Sequence, residues 1–184
     1  GLLVPAPHYI RPSQAGILHW FKAIADASAV PLIVYDIPYR TGVCIERATL
    51  RELSNHPRIQ AVKDCGRDAS KTQALIADGC LQILSGEDAQ IFSTVALGGA
   101  GAIAASAHVH TERFVEVLKM LKQGNLPEAR SLWQPLQALI EALFEEPNPG
   151  PLKALLARQG LIQNELRAPM TQATSAQARR IPPR

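Results

Sequence analysis

Lys63 is the residue in this sequence whose type and position best suit covalent chemistry. It follows Ile59-Gln60-Ala61-Val62, an apolar run of strand length, and a two-residue period places Ile59, Ala61 and Lys63 on one face. Burial disfavours an ammonium, so an amine that loses its water in this position is a nucleophile for a ketone. The alternative is a lysine that reaches the rim and pairs with Asp64, and position alone leaves both interpretations open.

Two further side chains favour a site for a keto acid. Tyr35 ends the preceding apolar run, so its phenol and the Lys63 amine can face one opening and pass protons to a bound carbonyl compound. Arg40 lies in the loop just beyond and offers a planar pair of N–H groups to a substrate carboxylate. Taken singly, Tyr35 is typical of a core tyrosine and Arg40 of a surface arginine. The predicted chemistry depends on the three residues together.

The sequence does not predict a metal or an organic cofactor. His108 and His110 could place two ligands on one face of a strand, but no third ligand has suitable spacing. Gly98-Gly99-Ala100-Gly101 lacks the Lys-Ser/Thr pair of a phosphate-binding P-loop and favours a helix-to-strand turn.

The bulk composition is that of an ordinary globular protein. The chain has 184 residues, of which 47% are hydrophobic and 19% are charged, enough to form a core. A net charge of +3 without a basic, aromatic patch does not indicate nucleic-acid binding. No apolar run reaches the roughly 18 to 20 residues that a membrane span needs. The cysteines, Cys44, Cys65 and Cys80, lack metal-ligand spacing and predict reduced thiols in a cytoplasmic protein.

Alternating strand and helix patterns must position the reactive residues. Strand-length apolar runs are followed by amphipathic stretches, which predicts βαβ units and a parallel sheet. The runs are Leu32-Ile33-Val34-Tyr35, Ile59-Gln60-Ala61-Val62-Lys63, Leu81-Gln82-Ile83-Leu84-Ser85 and Ala102-Ile103-Ala104-Ala105. The chain opens without Met in Leu2-Leu3-Val4, which predicts the end of another strand and a chain that begins within a fold. An open doubly wound sheet is the alternative, although no turn matches G-x-G-x-x-G.

From Thr111 onward the pattern predicts helices only. We therefore expect a partial (β/α) barrel over residues 1–124 and a helical extension over 125–170. The tail over 171–184 is rich in Ala, Gln, Ser and Arg, and its composition predicts disorder.

Six segments resemble motifs of the 4-hydroxy-tetrahydrodipicolinate synthase (dihydrodipicolinate synthase) family. Tyr35-Asp36-Ile37-Pro38-Tyr39-Arg40-Thr41-Gly42 resembles its Y-N-x-P-x-R-T-G loop. The other five are Pro7-His8-Tyr9-Ile10-Arg11-Pro12-Ser13-Gln14, Val62-Lys63-Asp64, Leu84-Ser85-Gly86-Glu87-Asp88, Glu146-Pro147-Asn148-Pro149 and Leu166-Arg167-Ala168-Pro169-Met170-Thr171. They occur in the family's order across nearly the whole chain, which makes the set specific. The resemblance implies an α/β fold, the C-terminal part of a (β/α)8 TIM barrel (about strands 4–8), followed by a C-terminal helical extension.

The resemblance also implies roles for single residues. Lys63 would form a Schiff base with pyruvate, Tyr35 would be the proton donor and acceptor beside it, and Tyr9 would reach across a dimer interface as a second relay tyrosine. The implied substrate-binding residues are Arg40, for the carboxylate of aspartate semialdehyde, Thr41, Gly86 and Ile103, which would line the pyruvate pocket through its backbone.

The implied activity is that of a lyase of lysine and diaminopimelate biosynthesis. Its partners would be pyruvate, L-aspartate 4-semialdehyde and further copies of the chain, in a tight dimer and a tetramer. No cofactor, nucleic acid or membrane is implied.

Three features depart from the family pattern. His8 occupies a position where many members have a tyrosine that helps to bind lysine as feedback inhibitor, which leaves that regulation open. Asp64 replaces the more usual glutamate. The family's Gly-Thr-Thr-Gly-Glu segment, whose threonines complete the proton relay, has no counterpart, so we expect the site to be incomplete and inactive in this chain alone.

Two other functions stay open at this point. Related pyruvate-dependent aldolases, such as N-acetylneuraminate lyase or 2-keto-3-deoxy sugar acid aldolases, share the lysine and the tyrosine. The Arg40-Thr41-Gly42 loop favours the synthase, because an arginine fork suits a short aldehyde with a carboxylate. The third possibility is a non-catalytic barrel fragment or interaction module.

Overall fold

A computed structural model of the protein describes residues 1–181. The chain divides into two compact units, Gly1–Ile103 and Ala104–Arg184. Within the described residues, none of the helices combines the length and the apolar character that crossing a bilayer requires.

The first unit is an open sheet with helices between its strands. The strands are β1 (Leu2–Pro5), β2 (Leu32–Asp36), β3 (Ile59–Asp64), β4 (Gln82–Ser85) and β5 (Gly101–Ala102). Neighbouring strands are parallel, in the order β1-β2-β3-β4-β5. The helices are α1 (Gln14–Ala27), α2 (Pro38–Thr41), α3 (Arg47–Leu53), α4 (Ala69–Asp78) and α5 (Ile91–Ala96). Parallel neighbours need such crossover connections, which explains the strand–helix alternation of the sequence.

Caps and apolar faces in the sequence determine where these helices begin and what they bury. The Ser13 hydroxyl accepts from the Gly16 N–H at the start of α1, and the Asp68 carboxylate accepts from the Lys71 N–H at the start of α4. The core lies between the helices and one face of the sheet. It includes Ile17, Phe21, Leu50, Leu53, Leu32, Val34, Val62 and Ile83.

The opposite face of the sheet carries the candidate reactive residues. The register pairs Tyr35 with Lys63, and Lys63 with Leu84. Because side chains alternate between the faces of a strand, these three residues point away from the face that holds Val34, Val62 and Ile83. The helix-covered core therefore supports the sheet from behind, and the half-buried face with Lys63 is left for chemistry.

The second unit is helical. Its helices are α6 (Thr111–Lys122), α7 (Leu126–Phe144), α8 (Gly150–Arg158) and α9 (Ser175–Arg180). The rings of Phe114 and Trp133 meet edge to face, with centroids 6.2 Å apart. A second core cluster comprises Leu139, Leu143, Leu152, Leu155, Leu156 and Ile181.

The end of the chain contains the short helix α9, inside the segment whose composition predicted disorder. Gln177 donates to the Ala142 carbonyl, and Arg158 donates to the carbonyls of Ala178 and Ile181. Residues 182–184 lie outside the described residues. The predicted domain boundaries at residues 124 and 170 stay predictions.

The fold-class prediction needs a correction. The sequence predicted strands 4–8, the C-terminal part of a closed eight-stranded barrel. The described residues form an α/β unit with an open sheet of five parallel strands, in which β1 and β5 each have one neighbour. Repeated βα units are locally alike, so sequence motifs indicate which strands are neighbours but not the rank of a strand within a barrel.

Candidate active site

Lys63 and Tyr35 lie side by side at the carboxyl ends of β3 and β2. The register places the two residues opposite each other, and the Lys63 Nζ is 4.2 Å from the centroid of the Tyr35 ring. This is cation–π distance for an ammonium over a phenol. The predicted proximity of the amine and the phenol is confirmed, and it follows from the register of two adjacent parallel strands.

Gly86, just after β4, packs directly on the Lys63 side chain. A Cβ at this position would lie 2.9 Å from the Lys63 Cε and 2.3 Å from the Cys65 Sγ. Real Cβ contacts do not reach such distances. Gly86 therefore leaves the space that the extended lysine occupies.

We expect Gly86→Ala to displace the Lys63 side chain. Turnover should therefore fall by a larger factor than the loss of folded protein would explain. Overpacking of this kind costs about 1–3 kcal/mol. Turnover and the free energy of unfolding would be measured on the full-length protein. Adding Cys65→Ala removes the 2.3 Å contact and should restore part of both quantities. Equal activity of Gly86→Ala and the wild type would contradict this account.

The Tyr35 hydroxyl is held in a protonated state beside a buried thiol. The Cys65 Sγ lies 4.0 Å from the Tyr35 hydroxyl. Burial, followed by the electrostatic effect of Cys65, raises the pKa of Tyr35 above its ordinary value. Burial likewise raises the pKa of the Cys65 thiol to about 12. Tyr35 is therefore a neutral phenol that can donate a proton to a bound carbonyl compound.

The state of Cys65 can be tested by alkylation. Only 1% of Cys65 is exposed, whereas Cys80 lies at the surface, so iodoacetamide at pH 8 should label Cys80 and spare Cys65 in the native protein. Unfolding in urea should then make both residues reactive, as mass spectrometry of the peptides would show. Comparable labelling rates in the native protein would refute the burial and the raised pKa.

A buried polar cluster lies behind the site, on the core side of the sheet. The Asp36 carboxylate, which is fully buried, accepts hydrogen bonds from the Lys71 ammonium and, at 3.2 Å, from the Ile45 N–H. Asp64 accepts from the Thr72 hydroxyl at 2.6 Å and from the Gly66 N–H at 2.8 Å.

Charge and burial act in opposite directions on the ion pair of this cluster. Burial raises the pKa of Asp36, and the Lys71 ammonium partly opposes that rise. Burial alone would lower the pKa of Lys71, but the charge and the hydrogen bond of Asp36, together with the charges of Cys44 and Asp64, raise it. Asp36 follows Tyr35 and Asp64 follows Lys63 in the chain, so the cluster anchors the strand ends that carry both reactive residues.

An open cleft of about 730 Å³ lies beside these strand ends. Within the described part of the chain its lining comes from residues 8–11 and 39–42, so Lys63 and Tyr35 are not part of it. Tyr9 and Arg40 both line the cleft, and 92% of Tyr9 is exposed. Thr41 also lines it, but its buried hydroxyl has the carbonyls of Ile37 and Val43 as acceptors for its one hydrogen, at 3.1 and 3.0 Å.

The predicted site residues thus form two groups. Lys63, Tyr35 and Gly86 are in contact, whereas Tyr9, Arg40 and Thr41 share the cleft. Arg40 lies near enough to Tyr35 to oppose the rise in the pKa of its phenol. Ile103 follows β5 and donates its N–H to the Ser85 carbonyl at 2.9 Å, so this N–H is already bonded within the sheet.

The sequence analysis gave no role in the site to four side chains near the strand ends: Cys65, Arg67, Lys71 and Glu87. Cys65 could have been found, since it lies two residues beyond Lys63. Lys71 meets Asp36 across 35 residues, and Arg67 meets Glu87 across 20, and no local pattern signals such contacts.

Comparison with known proteins assigns the chain to a family. The profile described as the Dihydrodipicolinate synthetase family matches residues 1–181. The chain is 43% identical over 173 residues to 4-hydroxy-tetrahydrodipicolinate synthase 2 of Clostridium acetobutylicum, covering 92% of this chain and 60% of the relative. It is 38% identical over 181 residues to 4-hydroxy-tetrahydrodipicolinate synthase of Enterococcus faecalis, covering 98% of this chain and 62% of that relative.

Solved structures show the same similarity. The dihydrodipicolinate synthase of Thermotoga maritima superposes with a TM-score of 0.95 at 29% identity, over 98% of this chain and 63% of that protein. The chloride-inhibited dihydrodipicolinate synthase of Acinetobacter baumannii, complexed with pyruvate, superposes with a TM-score of 0.94 at 32% identity, over 97% of this chain and 62% of that protein.

The chain spans about 60% of the length of these relatives. The coverage also bears on the corrected fold class. The relatives and the solved structures support a portion of the family's barrel with five parallel strands. The assignment of these strands to positions 4–8 is withdrawn. The profile match and the identity over nearly the whole chain show that this chain belongs to the dihydrodipicolinate synthetase family.

Proposed function

We propose that the protein containing this chain is a Schiff-base lyase that condenses pyruvate with L-aspartate 4-semialdehyde to 4-hydroxy-tetrahydrodipicolinate. The observation that carries the proposal is the Lys63 Nζ, 4.2 Å from the Tyr35 ring, in a chain of this family. A relative of the family has been solved in complex with pyruvate, which supports pyruvate as the first substrate.

The proposed reaction begins with attack of the Lys63 amine on the keto carbon of pyruvate. Loss of water then gives an imine: the neutral Tyr35 phenol gives its proton to the departing oxygen, and the phenolate so formed takes one back from the nitrogen. Transfer of a methyl proton to the imine nitrogen through the Tyr35 hydroxyl converts the imine to an enamine. The enamine carbon attacks the aldehyde carbon, and the proton on nitrogen passes to the aldehyde oxygen as the imine re-forms. The substrate amine then attacks the imine carbon, which closes the ring and releases the Lys63 amine.

The other predicted residues have supporting roles in this proposal. Arg40 binds the carboxylate of the aldehyde substrate, since its guanidinium lies in the open cleft beside the strand ends. Thr41 shapes the loop of Arg40 through its hydroxyl bonds to Ile37 and Val43. Gly86 gives Lys63 its space, and Ile103 offers a backbone carbonyl to pyruvate.

Self-association is also part of the proposal. Tyr9 is 92% exposed and Ile10 is 68% exposed, which supports a segment that is covered by a second copy. We propose a tight dimer, with Tyr9 as the relay tyrosine of the partner's site, that assembles into a tetramer in the cytoplasm. Analytical ultracentrifugation of the full-length protein measures its oligomeric state.

Borohydride trapping tests the central step. The full-length protein would be incubated with labelled pyruvate, reduced with borohydride and mapped by mass spectrometry. We expect a single adduct at Lys63, and its absence would rule out the Schiff-base lyase.

A second assay distinguishes the synthase from related aldolases. The rate of pyruvate consumption would be measured in the presence of aspartate semialdehyde and, separately, of sugar-derived aldehydes such as N-acetylmannosamine and glyceraldehyde. We expect aspartate semialdehyde to react fastest, because Arg40 offers a fork for its carboxylate. Faster consumption with a sugar aldehyde would assign the protein to the aldolases instead.

A further inference from the structure

Arg67, in the loop after β3, has a backbone conformation that side chains rarely adopt. Its φ is 56°, and in the described part of the chain only Tyr9 and Arg11 are other non-glycine residues with positive φ. Such a conformation raises the energy of an L residue, so it persists where other contacts hold it, often at functional sites. Tyr9 and Arg11 both line the open cleft, and Arg67 contacts Tyr39, which lines it as well.

The contacts that hold Arg67 connect the segments that follow β2, β3 and β4 at the strand ends. Its Cζ lies 4.8 Å from the centroid of the Tyr39 ring, in the short helix α2 that follows β2. Its Nε donates to the Glu87 Oε2 at 3.0 Å, in the loop after β4. Burial, followed by the charges of Glu87 and Cys65, raises the pKa of Tyr39 to about 12, so Glu87 lies near Tyr39 as well as being paired with Arg67.

The Tyr39 ring connects Arg67 to the residue proposed to bind the substrate carboxylate. The Arg40 Cζ lies 5.9 Å from the same centroid, so two guanidinium groups contact one ring. Arg40 and Tyr39 are adjacent in the short helix α2, and the Arg40 guanidinium lies beside the Tyr39 ring, so the position of the ring limits where that guanidinium can lie. Arg67 holds that ring from the neighbouring loop.

We propose that Arg67 is a positioning residue for the anion subsite, which acts by holding Tyr39, and through it Arg40, where the carboxylate of the aldehyde substrate binds. The inference rests on the proposed function, because it requires a carboxylated aldehyde at Arg40. It makes Arg67 a determinant of selectivity for aldehydes that carry a carboxylate. It gives Arg67 no part in the formation of the Schiff base.

Arg67→Gly tests the proposal without backbone strain. Glycine adopts a φ of 56° at no steric cost, so the variant should fold with an unchanged or higher midpoint of thermal unfolding. The probes are succinic semialdehyde, which has four carbons and a carboxylate, and butanal, which has four carbons and no charge. In the full-length protein we expect the KM for succinic semialdehyde to rise about threefold to tenfold, the range of a lost cation–π contact, with kcat little changed. The kinetics with butanal and the trapping of pyruvate at Lys63 should stay the same.

A second variant and the possible outcomes make the test decisive. Arg67→Asn also tolerates positive φ and lacks the guanidinium, so it should reproduce the shift in KM. An unchanged preference for succinic semialdehyde over butanal in both variants would overturn the role of Arg67, and so would an equal loss with both aldehydes. Absence of a pyruvate adduct in the wild type is a different failure, since it removes the proposed function itself and this inference with it.

Discussion

Replacing Lys63 with arginine is expected to abolish the covalent binding of pyruvate and to lower turnover by at least about a thousandfold. A guanidinium is not deprotonated in proteins and forms no imine with a ketone under these conditions. Arginine keeps the positive charge beside the Tyr35 ring, where the Lys63 Nζ lies 4.2 Å from the centroid. The loss of activity would therefore come from the loss of the amine, with little change in the fold.

Two measurements on the full-length protein check this prediction. Borohydride reduction with labelled pyruvate should give no adduct in Lys63→Arg, and pyruvate consumption with aspartate semialdehyde should fall to background. Lys22→Arg is the matched control, because Lys22 pairs with Glu52 on the surface at 2.9 Å and takes no part in the site. An adduct of normal yield in Lys63→Arg would place the reactive amine elsewhere.

Replacing Lys71 with methionine is expected to cost about 3–5 kcal/mol of stability. The change would leave the carboxylate of Asp36 fully buried without its cation, and it would remove the donor to the Ile45 carbonyl at 2.9 Å. Removing one partner of a buried pair costs far more than the pair contributes, because the other charge stays dehydrated. Since Asp36 follows Tyr35 directly, turnover should fall together with stability.

Urea unfolding of the full-length protein measures this cost. Lys119→Met is the matched control, since Lys119 is exposed and pairs with Glu116 at 3.4 Å, and it should change stability by less than about 0.5 kcal/mol. Adding Asp36→Asn to Lys71→Met removes the unpaired carboxylate and should recover part of the loss. A change below about 1 kcal/mol in the single variant would show that Asp36 finds another partner or is protonated.

The same pair predicts how stability depends on pH at the alkaline end. Burial acts to lower the pKa of Lys71 in the folded state, but the charge and hydrogen bond of Asp36, with Cys44 and Asp64, together raise it above its ordinary value of 10.5. A raised folded pKa stabilises the protein below the unfolded value and loses that contribution as pH rises through the folded value. Lys71→Met should lack this part of the alkaline loss.

Several features of the fold were predictable because they depend on local patterns. Ser13 and Asp68 cap α1 and α4 through hydrogen bonds that span three residues. The apolar runs around Val34 and Val62 became strands, because each is buried on the helix-covered face. The last predicted strand is shorter than expected, since β5 covers only Gly101–Ala102 and residues 106–108 form a 3-10 turn.

The side chains that support the site were not predictable in the same way. Lys71 reaches Asp36 only because α4 packs behind β2, and Arg67 reaches Glu87 because the loops after β3 and β4 meet. Nothing in the sequence marks Arg67 as a residue with positive φ, because its neighbours in space determine that conformation. The rank of the five strands within a barrel was predicted wrongly for a related reason, since similar βα units do not encode their own position.

By itself the sequence determined the reactive residue types and the strand ends on which they lie. Parallel strands end at one edge and alternate their side chains, so the positions of Tyr35 and Lys63 in the chain are enough to predict that the two side chains lie together. The tertiary structure alone decided what surrounds them: the space left by Gly86, the ion pair behind Asp36 and the separate cleft with Arg40. These contacts join residues far apart in the chain, and their energies depend on burial and distance, which arise only when the helices and loops pack.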